Sequence, residues 1–461
     1  MKQVYCLGVL MLALCLCLPG IQAQVHELTL AYERFSDADE GSSFRPGGHA
    51  WLELMAEPPE GEWVLPEPVG SFPVYAWVRI GAQERLLMLD QSGKDAAFYD
   101  RAYLDADANG NLTDDPVLDT QDVDVYEQRY FVSRFPATDI QALVDGSAMP
   151  YSFTLRVQYS SDEPLSWGQW LLGFFTRRRP EIPEIDINRL YAYLSPHCMY
   201  TAELALDDAA YRIYLSDNNV NGRFDDWGVA GDPSDDRDEN LYAGGDRFYL
   251  TARDAVPGYY DALALGRHLS LNNRLYTLDI AQTERQLTLT DVTDTAATIE
   301  LPLPVQSIVL VKDNDACVMA FNPGTSMLAP PGRYRLLRYL AFRNEPEGAR
   351  WRLAASGTWN SPEITATPDE SVVYTLGEPF QPTVRVPAWA RDNLRAGADS
   401  VRLSLVIRGA GNESVLGLSC IENRENSAIA LSNRAGLPKE ATYRILLPDG
   451  EVVAQGSFEY G

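Results

Sequence analysis

Two short acidic stretches hold the residues best suited to chemistry in this chain. Tyr103 to Asp114 and Leu215 to Asp226 share the pattern D-x-[DN]-x-N-G-x-[LF]-x-D at a constant offset of 112. Oxygen-bearing side chains at alternate positions of a tight loop converge on one point. A calcium ion takes six to eight oxygens at ~2.3–2.6 Å from such an arrangement. In the first copy the expected ligands are Asp105, Asp107, Asn109, the Asn111 carbonyl, and Asp114 or Asp115. In the second they are Asp217, Asn219, Asn221, the Arg223 carbonyl, and Asp225 or Asp226. Gly110 and Gly222 permit the sharp positive-φ turn, and Leu112 and Phe224 are expected to anchor each loop in a core. The bland alternative is an Asx-Gly turn in a solvated acidic protein, with no ion. Two copies that keep the anchor and the trailing Asp favour calcium.

Over about ten residues per copy, the start of each loop resembles the calcium loops of EF-hands, dockerins and thrombospondin type 3 repeats. The resemblance implies the ion and the early ligands. It stops at the twelfth position, where an EF-hand has a bidentate Glu and this chain has Pro116 and Gly228. A strand-like segment precedes each loop where an EF-hand has a helix, so neither the EF-hand fold nor a sensor role is carried over.

The segments that must position these loops read as β. Ala97 to Leu104 and Ala209 to Leu215 are aromatic-rich lead-ins, and Tyr151 to Tyr159 alternates with period two. Arg402 to Ile407 and Tyr443 to Leu447 do the same, and Pro448-Asp449-Gly450 turns the last into Glu451 to Phe458. Pro330-Pro331-Gly332 leads into another strand, while Thr138 to Val144 and Ala388 to Leu394 are short helical candidates. The expected fold class is therefore mainly β and multi-domain: two related β-rich modules, each with an acidic loop, followed by two small β-sandwich-like domains. Punctuation near Pro180-Pro183, Leu301-Pro304 and Gly377-Pro379 gives segments 24–180, 181–300, 301–376 and 377–461.

Residues 1–23 have the zones of a signal peptide: Lys2, an apolar run from Val9 to Leu18, a Pro19-Gly20 break, and Ala23 before the expected cleavage. Leu14 and Leu16 before Cys15 and Cys17 disfavour lipoprotein processing. Secretion or periplasmic localisation follows, with no membrane span expected, the apolar run falling short of the ~20 residues a bilayer needs. A formal charge of −27 repels phosphate and argues against nucleic acid. Cys198, Cys317 and Cys420 are too few and too scattered for a cystine scaffold or a zinc site.

Catalytic signatures are thin. The chain has no G-x-S-x-G elbow, H-E-x-x-H motif, phosphate loop or dinucleotide fingerprint. His26, His49, His197 and His268 sit in no motif, and the adjacent His197-Cys198 reads as structural. Trp167 to Phe175, followed by Arg177 to Arg179, reads as inter-domain core ahead of a partner or membrane-interface element. The acidic run from Asp232 to Glu239, with Asp246, either extends the second metal site or is a solvated charge run. The whole chain resembles exported bacterial β-domain proteins with such loops, an architecture that implies no activity. The expected function is a calcium-binding, non-enzymatic structural or binding protein of the periplasm or cell exterior, meeting an unknown extracellular ligand or cell-surface partner. The alternative is a calcium-dependent secreted hydrolase of polysaccharide or peptide.

Overall fold

The computed structural model describes residues 24–35, 48–93, 96, 98–120, 123–126, 130–160, 185–231, 240–258, 261–313, 316–345, 349–423 and 437–459. The signal segment, Trp167 to Phe175 with its arginines, and the acidic run 232–239 lie outside the described residues. Among the described residues strand makes up 58% and helix 4%, so the chain is mainly β, in several sheets.

The sheet that carries the first acidic loop runs Leu54–Met55, Val74–Ile80, Gln83–Asp90, Arg101–Leu104, Leu118–Asp119, all antiparallel. The one that carries the second runs Leu263–Ala264, Arg247–Ala252, Ala209–Ser216, Cys198–Leu206, Ala31–Arg34. A third sheet runs Ala50–Leu52, Leu190–Pro196, Ser147–Ser160, Tyr130–Arg134, Val123–Tyr126, with Thr138–Val144 paired beside Ser147–Ser160. The largest has 13 strands and joins Val25–Thr29 and Arg274–Ala281 to Ala297–Lys312 and, further along, to Gln381–Arg385. Thr442–Leu446 and Val452–Ser457 form a separate hairpin, as their alternation and the Pro-Asp-Gly turn predict.

Thr138–Val144 is a strand, which corrects the helical expectation. Ile140, Ala142 and Val144 are buried while Asp139 and Gln141 are exposed, a period of two. Asp145 and Gly146, at φ 47° and 80°, close a two-residue turn that returns the chain as Ser147–Ser160. The helix expected at Ala388 to Leu394 is present as Ala388–Arg395.

The expected boundaries do not coincide with breaks in pairing. Ser147–Ser160 pairs with Leu190–Pro196, and Ala31–Arg34 with Cys198–Leu206, across the punctuation near 180. Pro302 and Pro304 lie inside the continuous strand Ala297–Lys312, which absorbs them through a register shift between Glu300 and Val305. One buried cluster draws Val78, Leu89, Val157, Ile213, Leu278 and Val311 together, so the sheets bearing the two loops share a core. A second cluster, with Ile299, Tyr339 and Tyr374, lies on the other side of the large sheet.

Candidate metal centres

Each acidic loop joins two neighbouring antiparallel strands of one sheet: Arg101–Leu104 to Leu118–Asp119, and Ala209–Ser216 to Arg247–Ala252. Their backbones match residue by residue. Ala108 and Val220 sit at φ 60° and 58°, and Gly110 and Gly222 both at 85°. A β-branched Val in the left-handed region is uncommon, and here Val220 is held by its burial in the shared core. Leu112 and Phe224 are each 1% exposed, the anchors their sequence positions predict.

Hydrogen bonds repeat in the same way. In the first loop Asp105 accepts from the N–H groups of Asn109 and Gly110, at 2.9 and 3.1 Å. In the second, Asp217 accepts from Asn221 and Gly222, at 3.3 and 2.7 Å, and also from Val220 at 2.6 Å. Asn109 Oδ1 accepts from the Asn111 N–H, and Asn221 Oδ1 from the Arg223 N–H. Asn109 Nδ2 donates to Asp114 as Asn221 Nδ2 donates to Asp226. The carbonyl of Gly110 and the N–H of Leu112 lie near Val64, with the Val64 N–H donating to Gly110 and its carbonyl accepting from Leu112. In the second copy the buried amide of Gln282 replaces that backbone: its Nδ-equivalent Nε2 donates to the Gly222 carbonyl at 2.9 Å and its Oε1 accepts from Phe224 N–H at 3.0 Å.

One further carboxylate completes each loop, from close downstream in the first and from far downstream in the second. Asp115 Oδ2 accepts from the Ala106 N–H at 2.8 Å. At the matching position of the second loop, the Asn218 N–H donates to Asp246 at 3.0 Å. Asp246 also accepts from Asp226 N–H at 2.9 Å, and it reaches the loop from the far strand's lead-in. Asp225 turns away: Arg223 holds both its oxygens, at 2.9 and 2.8 Å, and reaches Asp145 at 2.9 Å. Asp226 faces in, accepting from the amides of Asn219 and Asn221 at 3.0 and 2.6 Å.

The two sites differ in how their charge is met. Asp105, Asp107 and Asp115 each bring an oxygen within 4.8 Å of the others. Behind them lies Arg85, 1% exposed, donating to the carbonyls of Ala106, Ile80 and Gln141 and to Gln83. Its charge opposes the repulsion among these carboxylates. Burial, then the neighbouring Asp107, Asp114 and Asp105, still raise the Asp115 carboxyl against the bond from Ala106. At the second site Asp217 and Asp246 are both fully buried. Burial lifts Asp217 to about 6 despite its bonds from Gly222, Tyr151 and Val220. Burial and the charge of Asp217 push Asp246 well above the usual carboxylate range. Tyr151, from the third sheet, donates its hydroxyl to Asp217 at 2.8 Å.

These donor sets fit a hard cation. The amide nitrogens of Asn109, Asn219 and Asn221 point at carboxylates inside the loops, where a cation would otherwise stand. A half-turn of each amide would present oxygen instead, as calcium takes, in exchange for the Oδ1 bonds from the backbone N–H groups of Asn111, Asn221 and Arg223. Of the expected ligands, the structure brings Asp105 and Asp107 together with Asp115, and Asp226 to the amides of Asn219 and Asn221, while Asp225 is held by Arg223. Sequence reasoning left Gln282 and Arg85 unnoticed, because neither lies near a loop in sequence.

Elsewhere, the Cys198 thiol is pushed up to about 12 by burial and exchanges hydrogen bonds with the Ser152 backbone. Its neighbour His197 packs edge-on against Phe35. Burial lowers His268 to about 4, with Lys312 and Arg267 adding to the effect. A pocket of about 490 Å³ beside Asn218 is lined by His49, Arg247, Tyr249, Arg338 and Ser356 among others, with no carboxylate among its described lining. Among the described residues no helix is long and apolar enough to cross a membrane. Comparison of the chain with family models, curated proteins and solved structures found no match.

Proposed function

We propose that this chain is an exported protein with a structural or binding role outside the cytoplasm, stabilised by calcium at its two acidic loops. The observation that carries this reading is the second loop. There two carboxylates, Asp217 and Asp246, are buried side by side. Burying like charges is costly unless something neutralises them, and a divalent cation bound by the loop oxygens does so. Loop 1 supports the same reading through its three converging carboxylates. Export is supported by the charge, apolar run and break within residues 1–23.

Calcium titration followed by calorimetry and thermal melting tests the metal. A ligand that binds only the folded state stabilises by RT ln(1 + [L]/Kd), ~1.4 kcal/mol at a tenfold excess over Kd. The melting temperature should rise by a few degrees in millimolar calcium and fall back in chelator. Equal melting in both, with no heat of binding, removes the proposal. Sequencing the exported protein should find Gln24 at or near its amino terminus.

A further inference from the structure

The third sheet presents a face that the calcium reading does not use. Along Leu190–Pro196, Leu190, Ala192 and Leu194 point into the core, so Tyr191 and Tyr193 point out. Trp51, on the edge strand Ala50–Leu52, pairs in register with Tyr193. Trp51 is 56% exposed and Tyr191 47%. The rings form one cluster, with Trp51 lying 5.0 Å from Tyr193 and 6.1 Å from Tyr191, both edge-on. Arg156, opposite Tyr193 on Ser147–Ser160, lies over that ring at 5.7 Å. Beside it Gln158 faces outward, opposite Tyr191. Tyr130, 45% exposed, continues the face on Tyr130–Arg134.

We propose that this aromatic face binds a neutral glycan. Exposed Trp and Tyr on an edge strand and its neighbour invite association, and solvated edges usually carry charge instead. Aromatic rings offer apolar faces to the C–H faces of a sugar, while Tyr hydroxyls, Gln158 and the Arg156 guanidinium supply donors for its hydroxyls. The charge selects the partner. In a chain of net −27 this face carries two acids along its paired register, Asp124 and Asp139, and Arg134 and Arg34 hold them. Arg156 has no carboxylate partner among the described residues. An anionic polymer meets the repulsion of the whole molecule, and a cationic protein finds its counter-charges on other surfaces. A neutral polyhydroxylated chain is the partner this balance admits. From Trp51 to Tyr130 the face crosses four strands and shifts four residues along them, ~20 Å at ~4.8 Å per strand and ~3.3 Å per residue, which suits a short oligosaccharide segment. The strands that build the face are not the calcium loops, so binding here and the calcium reading stand or fall separately.

The test is electrophoresis of the full chain through native gels containing soluble β-glucan, xylan, glucomannan or mannan, with polygalacturonate as the acidic comparison. At least one neutral polymer should retard the wild type, in chelator as well as in calcium if the fold persists. Trp51→Ala and Tyr191→Ala should each weaken retardation about tenfold, roughly 1.4 kcal/mol. Trp51→Phe should retain part of it, and Phe380→Ala, exposed elsewhere, should change nothing. Unchanged far-ultraviolet dichroism shows that the variants fold. Retardation by no neutral polymer, retardation by polygalacturonate alone, or equal retardation of wild type and Trp51→Ala overturns the proposal. So does a concentration-dependent dimer that Trp51→Ala dissolves, which assigns the face to a second copy.

Discussion

Replacing Asp217 by Asn separates the electrostatic cost of the second loop from its geometry. Burial pushes the Asp217 carboxyl up to about 6 in the folded chain, from the ordinary 3.8. Between those values the folded chain holds more protons, so stability conferred by protonation rises as pH falls from 7 toward 4. Above about 6 the group is ionised in both states and the folded chain bears the full burial penalty. A difference of ~2 pH units corresponds to ~3 kcal/mol. Asn does not titrate, so this pH-dependent part disappears in Asp217→Asn. A second cost is independent of pH: the amide offers one oxygen where the carboxylate serves Val220 at one atom and Gly222 with Tyr151 at the other. That loss is about 1–3 kcal/mol. In calcium-free buffer, chemical denaturation at pH 4 and pH 7 should therefore show the gap between wild type and variant shrinking by ~2 kcal/mol as pH rises. Calcium at pH 7 should reopen it by stabilising the wild type alone at this site. A gap that is constant with pH, or a calcium increment equal in both proteins, refutes the account.

The glycines should rank the loops. Gly110→Ala and Gly222→Ala share a φ of 85°, but a Cβ at Gly222 meets Ile80 at 3.0 Å and Gly81 N at 3.1 Å, whereas the nearest atom to one at Gly110 is 3.6 Å away. Thermal melting should place Gly222→Ala clearly below Gly110→Ala, and equal melting would show that the close approach to Gly81 relaxes freely. Gln282→Leu strands the Gly222 carbonyl and the Phe224 N–H, and should lower stability by about 2–4 kcal/mol in denaturant titration. Arg85→Met removes the buried counter-charge of the first loop, at ~3–5 kcal/mol in calcium-free buffer. Calcium should recover more stability in that variant than in wild type, and equal recovery would show that Arg85 does not share the loop's charge.

Much of the fold was legible because strands announce themselves over short distances. Tyr151 to Tyr159 alternates, and the structure places it within Ser147–Ser160 with Tyr151, Phe153, Leu155 and Val157 buried. Thr138–Val144 misled because seven residues with apolar positions at 140, 142, 143 and 144 fit either period. The structure settles it as a strand, closed by a two-residue turn at Asp145 and Gly146. Pairing partners were not legible. Pro302 and Pro304 look like a boundary in one dimension, but a long strand accommodates them by shifting register, and no local rule reveals that Ala297–Lys312 has neighbours on both sides.

The loops show the same division between local and distant information. Ligand types, the positive-φ glycines and the apolar anchors all lie within ten residues and could be read directly. What fixes each loop to the rest of the molecule came from afar, and the two copies solved that problem differently. The first closes with its own Asp115 and takes its counter-charge from Arg85, 20 residues upstream of Asp105. The second closes with Asp246 and docks on Gln282, Gly81 and Tyr151, contributed by three other sheets. A cation at that loop would therefore brace a meeting point of sheets, whereas at the first it would share its work with an arginine already in place. Near-identical motifs thus carry unequal structural weight, and the inequality lies in residues that no motif contains.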